Sequence, residues 1–341
     1  MGRKALFMGG LTLLVFFLLI CAVSLGTVRI PAGEVIRSFL GLGPDARVEI
    51  IIRSIRLPHA LAAMLAGAGL AVSGAAMQSI LRNPLGSPFT LGISQAGAFG
   101  AAFAIMLLGT GTVQSTQAGV INMANPYLTT LSAFIACMGA SLVIIAIARI
   151  RGASPEVMVL SGVALGSLFS AGTMFLQYIA DDVQLANMVF WAFGDVSRAG
   201  WPEVALMFVT VMAAMVFFIL NRWNYNAIDA GDETARGLGV RVEWVRLWGM
   251  LVASLVTAVI VSFLGIIGFV GLICPHMVRR VIGDDHRFLL PASALAGACL
   301  LLAADTAARL MLAPRVLPVA ILTAFLGAPT FLYLLIRRRG P

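Results

Sequence analysis

The sequence predicts an all-α, polytopic membrane protein of about ten transmembrane helices, a single membrane domain running from residue 1 to residue 341. Three observations predict it. From Leu85 to Ala148 there is no Asp, Glu, Lys or Arg, a stretch that no water-facing surface tolerates. The chain is 60% hydrophobic and only 11% charged. Its apolar runs also recur at roughly the 20 residues a helix needs to cross the hydrocarbon core. The basic residues are scattered between these runs, mostly singly and never more than three together, which argues against a nucleic-acid binder despite the net charge of +8.

Ten segments are expected, in order 6–28, 58–82, 88–108, 126–148, 156–179, 203–221, 244–264, 268–282, 288–311 and 317–336. The first comes after Arg3-Lys4. It is too long for a signal-peptide core and lacks a small-x-small cleavage site, so it reads as an uncleaved first helix. Leu19-Ile20-Cys21 is no lipoprotein site, because Ile20 is too bulky. The second segment ends at Asn83-Pro84-Leu85-Gly86-Ser87-Pro88, where two prolines and a glycine force a turn. The polar stretch Gly109–Pro126, with Gln114, Ser115, Gln117, Asn122 and Asn125, separates the third from the fourth. Arg149-Ile150-Arg151-Gly152 closes the fourth and Asp181-Asp182 the fifth. The uncharged run 247–278 is too long for one upright helix, and Gly265, Gly268, Gly271 and Pro275 invite a break inside it.

Arginine placement sets the topology. With the N-terminus in the cytoplasm, 15 of the 23 basic residues are cytoplasmic, among them Arg82, Arg149, Arg151, Arg246 and Arg337 to Arg339. The outer side then holds Arg29, Arg37, Arg47, Arg53, Arg56, Arg198, Arg309 and Arg315. This bias predicts both termini inside. Five of the outer arginines crowd between Arg29 and Arg56, and an acidic partner would suit that basic loop. Small residues recur every fourth position at Gly67, Ala71 and Ala75, at Gly69 and Ser73, and at Gly162 and Gly166. Such stripes let helices approach closely in lipid.

Few residues could carry chemistry. Lys4 is the sole lysine and comes after Arg3, so the glycine-lysine pair of a phosphate-binding loop is absent; any ATP driving this chain is hydrolysed on another subunit. Cys21, Cys137, Cys274 and Cys299 form no paired motif. Cys274-Pro275-His276 has no second ligand pair, and no metal or cofactor is expected. His59, His276 and His286 fall in unrelated settings, and no hydrolase motif surrounds any serine. Asp305 and Arg309 lie one turn apart, where they can neutralise each other, or where Arg309 can join Arg53 and Arg56 at the outer surface. Asn83, Pro84 and Leu85, with the 149–155 loop and its Ser154, are candidates for a constriction at an inner mouth, since irregular backbone at that depth lines a cavity or is buried in protein. The polar stretch 224–241 holds Asp232-Glu233-Thr234-Ala235-Arg236, then Gly237-Leu238-Gly239. It reads as a short glycine-capped helix suited to docking a soluble partner.

These blocks resemble the FecCD-type permeases, the membrane subunits of ABC importers for iron-siderophores, haem and cobalamin. Ala66–Gly74 continues to Gln78, Arg82–Pro88 and Leu91-Gly92. Gly231–Val240 is similar to the family's cytoplasmic coupling helices. Gly268–Leu272 with Pro275-His276, Arg279 and Asp285-His286-Arg287 is a further signature, and Ala304-Asp305 with Ala308-Arg309, Leu317-Pro318 and Gly327-Ala328-Pro329 another. The likeness spans Arg53 to Leu335.

The resemblance implies a type II ABC importer permease fold in a bacterial inner membrane. It implies a second permease subunit (an identical chain or a paralogue), two cytoplasmic ATPase subunits, and a periplasmic binding protein that delivers a metal chelate, with an iron-siderophore favoured over haem or cobalamin. By resemblance, Arg53, Arg56 and Arg309 dock acidic residues of the binding protein, while Asp232, Glu233, Ala235, Leu238 and Gly239 contact the ATPase. Helices two to five and seven to ten are expected to form an inverted repeat. One departure stands out: the family commonly has Arg-Leu-Pro-Arg where this chain reads Arg56-Leu57-Pro58-His59, which removes a fixed charge. An ion-coupled carrier is the rival class; it would need intramembrane carboxylates, and only Asp305 is available.

Overall fold

A computed structural model of the chain describes residues 2–26, 29–39, 41, 46–110, 125–312 and 316–336. The loop residues Gln114, Ser115, Gln117 and Asn122, and the basic Arg315 and Arg337 to Arg339, lie outside the described residues. Among those described the chain is helical, without strands, and carries one isolated parallel bridge between Phe193 and Ile266. Helix α1 spans Gly2–Ser24, α2 Ala32–Phe39 and α3 Ala46–Ile50. A π-wound stretch, Ile51–Arg56, joins α3 to α4, Leu57–Ile80. Then come α5 Ile93–Leu107, α6 Pro126–Ile150, α7 Pro155–Ile179, α8 Asp182–Ala192, a 3₁₀ turn Val196–Arg198 and α9 Trp201–Leu220. The chain continues with α10 Arg222–Asp229, α11 Asp232–Gly237, α12 Val242–Leu264, α13 Val270–Ile282, α14 His286–Met311 and α15 Val319–Ile336.

Each of the ten expected segments is occupied by helix, but they are not equal. Among the described residues, seven helices are long and apolar enough to cross a membrane: Gly2–Ser24, Ala46–Ile80, Pro126–Ile150, Pro155–Ile179, Trp201–Leu220, Val242–Leu264 and His286–Met311. Helices α5 and α15 are apolar but shorter. The uncharged run 247–278 breaks where its glycines predicted: α12 stops at Leu264 and Gly265 takes φ 79°. Beyond the break, α13 is shorter than expected. It has 13 residues and rises only about 20 Å, too little to cross alone.

Local chemistry explains the boundaries. Helix α6 starts at Pro126, with the Asn125 side chain accepting from the Leu128 amide. The Asp181-Asp182 break is a capping box: Asp181 accepts from the Gln184 amide at 2.8 Å, and the Gln184 side chain accepts from the Asp181 amide at 3.2 Å. Two compact units share the chain. The first comprises Met1–Ala75, Asp195–Leu220 and Ile267–Pro341; the second comprises Ala76–Gly194 and Asn221–Ile266.

In the first unit α14 packs against α1, α13 and α15. Helix α4 meets α14 at Gly67 and Gly297, where a Cβ on Gly67 would lie 2.1 Å from the Gly297 carbonyl oxygen. It meets α13 at Gly74 and Gly271, where the corresponding distance is 1.8 Å. In the second unit α5 is enclosed by α6, α7, α8 and α12. Ser132 of α6 donates to the Gly100 carbonyl at 2.7 Å, and Gly92, at φ 77°, lies against Gly162 and Gly166 of α7. Two of the small-residue stripes are therefore contact faces. Large apolar side chains on other faces point outward, among them Phe16, Ile135, Leu160 and Val209, each more than half exposed. Water would not tolerate that surface, and lipid does.

The Gly67–Gly297 contact generates a prediction. Gly67→Ala should lower the thermal stability of the detergent-solubilised protein, by about 2 kcal/mol or more, because backbone must give way rather than a side-chain tip. Gly139→Ala, on α6 with nothing near its Cβ position, should leave stability within about 0.5 kcal/mol of the parent.

Candidate functional site

The outward-facing arginines expected from the sequence belong to the first unit, and the structure sorts them. Arg56, on the π-wound stretch, is buried. Its Nη1 donates to the carbonyls of Val23 at 2.8 Å and Ser24 at 3.0 Å. Arg309 pairs with Asp305 across one turn of α14, Nε to Oδ2 3.0 Å, and its Nη2 donates to the Ala22 carbonyl at 3.2 Å. The carbonyls at the end of α1 have no partners within that helix, and two guanidinium groups supply them where the helix dipole favours positive charge.

Arg53 differs. Its side chain is 53% exposed, lies 3.1 Å from Glu49 and donates to the Ser38 carbonyl, while its own carbonyl accepts from Trp201 Nε1 at 2.9 Å. Of the three arginines expected to dock an acidic partner, Arg53 is the one displayed; Arg56 and Arg309 are committed to α1. His59 is turned inward too: it is half-buried and lies near the Ser197 backbone, Asp195 and Arg309.

The inner-mouth residues belong to the second unit. Asn83 builds the turn after α4: its Oδ1 accepts from the Leu85 amide at 2.9 Å and its carbonyl from the Gly86 amide at 2.9 Å. Thr90 Oγ1 donates back to the Leu85 carbonyl at 3.1 Å. Pro84 and Leu85 are left exposed at the tip. Arg82, which opens the turn, takes φ 45°, and Ala153, just before Ser154, takes φ 54°. Non-glycine residues in this region are strained, and such strain gathers at functional sites. Ser154 hydrogen-bonds Glu156 at the start of α7. A cleft of about 430 Å³ opens between α5 and α7, with polar groups from Thr90, Gln95, Ser167 and Ser170. The Gln95 side-chain oxygen is buried there without a hydrogen-bond partner.

The polar stretch 224–241 folds as two helices rather than one. Helix α11 ends in a Schellman motif: Gly239, at φ 84°, donates to the Arg236 carbonyl, and Val240 to that of Ala235. Glu233 and Gly239 are exposed, and Leu238 is 71% exposed. Ala235 corrects the expectation. It is fully buried with Ala227, Ile228 and Val242 and anchors α11 from beneath, so it offers no surface to a partner.

Asp232 also faces inward. It receives both ends of the Arg246 guanidinium, Nη1 to Oδ2 and Nη2 to Oδ1, each at 2.7 Å. Arg82 stands 3.8 Å away. The Arg246 fork holds the Asp232 carboxyl below its usual range, with Arg82 and Arg236 adding to the effect against partial burial. Arg246, expected from the sequence only as a topology charge, is almost wholly buried. A signal was available: it shares one face of α12 with Gly249, Met250 and Ala253, a small apolar face where a solvated arginine would not be placed.

The FecCD transport family matches residues 13–337. A protein of Methanocaldococcus jannaschii, provisionally named an ABC transporter permease, is 53% identical over 336 residues, covering 98% of this chain and 95% of the relative. The hemin transport system permease protein HmuU of Yersinia pestis is 37% identical over 286 residues, 84% of this chain and 83% of that one. Among solved structures, an inward-facing conformation of a provisionally classed metal-chelate type ABC transporter superposes with a TM-score of 0.82. Its identity is 29%, with 98% of this chain and 99% of the other covered.

The tie at Asp232 is testable. Its folded acidity is raised, so its stabilisation is fully present above the ordinary aspartate value near pH 4 and is lost as pH falls through the depressed value. Amide exchange across α11 should therefore stay slow in the parent protein down to about pH 4 and accelerate below it. Asp232→Asn should weaken α11 by about 3 kcal/mol and abolish that acid dependence.

Proposed function

We propose that this chain, which belongs to the FecCD transport family, is the membrane-spanning permease subunit of an ABC importer. It moves a metal chelate, an iron-siderophore by preference, inward across the cytoplasmic membrane, with both termini inside. It does no chemistry on the cargo; ATP is hydrolysed by a separate ATPase. The observation that carries the reading is α11, a short polar helix between long spans whose exposed Glu233, Leu238 and Gly239 offer a contact and whose other face is anchored into the protein. Two ATPase subunits engage α11 and its counterpart in a second permease chain, identical or paralogous.

On the outer side, Arg53 meets acidic residues of a binding protein, and Arg56 and Arg309 act behind it by holding the end of α1. On the inner side, Asn83, Pro84, Leu85 and Ser154 narrow the exit. Rigid turns with strained backbone suit a constriction that changes between two discrete positions. The polar cleft between α5 and α7 supplies uncharged hydrogen-bonding groups, suited to a large chelate that must be released again. Haem and cobalamin are the alternative cargoes, since a hemin permease of Yersinia pestis and a cobalamin permease of Halobacterium salinarum resemble this chain to a similar degree.

The test is ATP hydrolysis by the purified permease–ATPase complex in lipid nanodiscs, with binding protein loaded with a ferric siderophore, haemin or cobalamin. Stimulation by the ferric siderophore is expected. Stimulation by haemin or cobalamin alone would reassign the cargo, and no stimulation by any would overturn the importer reading for these chelates. Arg53→Glu should weaken binding-protein affinity about tenfold at low salt, and less as salt rises.

A further inference from the structure

We infer that Arg246 is a positioning residue that ties α11 to the Arg82–Pro88 turn, so that displacement of α11 moves that turn with it. The inference rests on the reading of α11 as the ATPase contact and names how that contact reaches the exit.

The geometry joins three elements of the second unit through one guanidinium. Arg246 sits in the second turn of α12 with its side chain 2% exposed. Its Nη1 and Nη2 hold Asp232 at the start of α11, each at 2.7 Å, and its Nε donates to the carbonyl of Ile80 at 3.0 Å. Ile80 is the last residue of α4, and a carbonyl there has no partner within its own helix. Two residues on, Arg82 turns the chain at φ 45° and approaches the same Asp232 carboxylate at 3.8 Å. A parallel tie runs beside it, since Ser79 Oγ donates to Asp229 of α10 at 3.1 Å. The end of α4 is thus fastened to both short helices.

Asn83 and Thr90 bond the turn internally, Pro84 and Leu85 are exposed at its tip, and Gly86, Ser87 and Pro88 are buried behind it, so it is fastened from within and from the end of α4. Only arginine can make this joint. Its planar fork grips a carboxylate with two nitrogens and leaves Nε for the carbonyl, whereas a lysine ammonium is a single point and an apolar residue makes neither bond. Packing alone does not call for a charge here, because an apolar side chain of similar length would fill the space without desolvating an ion.

The experiment uses the full permease–ATPase complex in nanodiscs, with Leu85→Cys as a reporter in a Cys21→Ser background. The readout is the rate of maleimide labelling with and without Mg-ATP and vanadate. With Arg246 present, nucleotide should change the rate about fivefold or more. Arg246→Met should reduce the change to less than about twofold while the ATPase still co-purifies, and Arg246→Lys should fall between. An undiminished response in Arg246→Met, or no response when Arg246 is intact, overturns the inference. If Arg246→Met does not fold, Arg246→Lys decides, and a response equal to the parent's overturns it. Failure of the parent chain to retain any ATPase would instead overturn the docking reading, and this inference with it.

Discussion

Helices already in lipid gain no hydrophobic energy by leaving it for one another, and that constraint shapes the rest of this protein. What remains is van der Waals contact and the few polar bonds that lipid cannot satisfy. The chain exploits the first by bringing backbones closer than any side chain would permit. Gly67 and Gly297 join α4 to α14, Gly74 and Gly271 join α4 to α13, and Gly92 sits against Gly162 and Gly166. Large apolar side chains are then free to cover the outside.

The second resource obeys the same logic. Each helix ends in carbonyls without partners, and in this chain arginines meet several of them. Arg56 and Arg309 supply the end of α1; Arg246 supplies the end of α4. Such bonds join elements far apart in sequence and fix where a helix end sits. At the end of α1 they hold the neighbourhood of Arg53, the arginine left exposed. At the end of α4 they hold the strained turn that carries Asn83, Pro84 and Leu85.

The sequence made the spans legible because hydropathy and arginine placement act locally. The break inside 247–278 was readable from glycines, and α11 from its acidic start and glycine end. Where reading failed, the cause was non-local. The side of α11 on which Ala235 falls is set by packing on Ala227, Ile228 and Val242, and no short window shows that. The outer arginines looked equivalent because composition reports charge but not direction; Arg56 turns toward a helix end 33 residues earlier in the chain. Asp232 and Arg246 meet across a helix boundary, and α13 starts two residues later than hydropathy suggests, after Phe269 at φ 67°.

Carriage of cargo by a passive-bodied permease, powered from a partner's ATP, is the central physical claim. It is tested most directly by uptake of a labelled ferric siderophore into proteoliposomes holding this chain, its partner permease, ATPase and binding protein, with ATP supplied on the ATPase side. Accumulation above the external concentration that requires ATP and survives a protonophore is the expected result. Uptake abolished by the protonophore but indifferent to ATP would contradict it, and would return Asp305 to the centre of the mechanism as the carboxylate of an ion-coupled carrier.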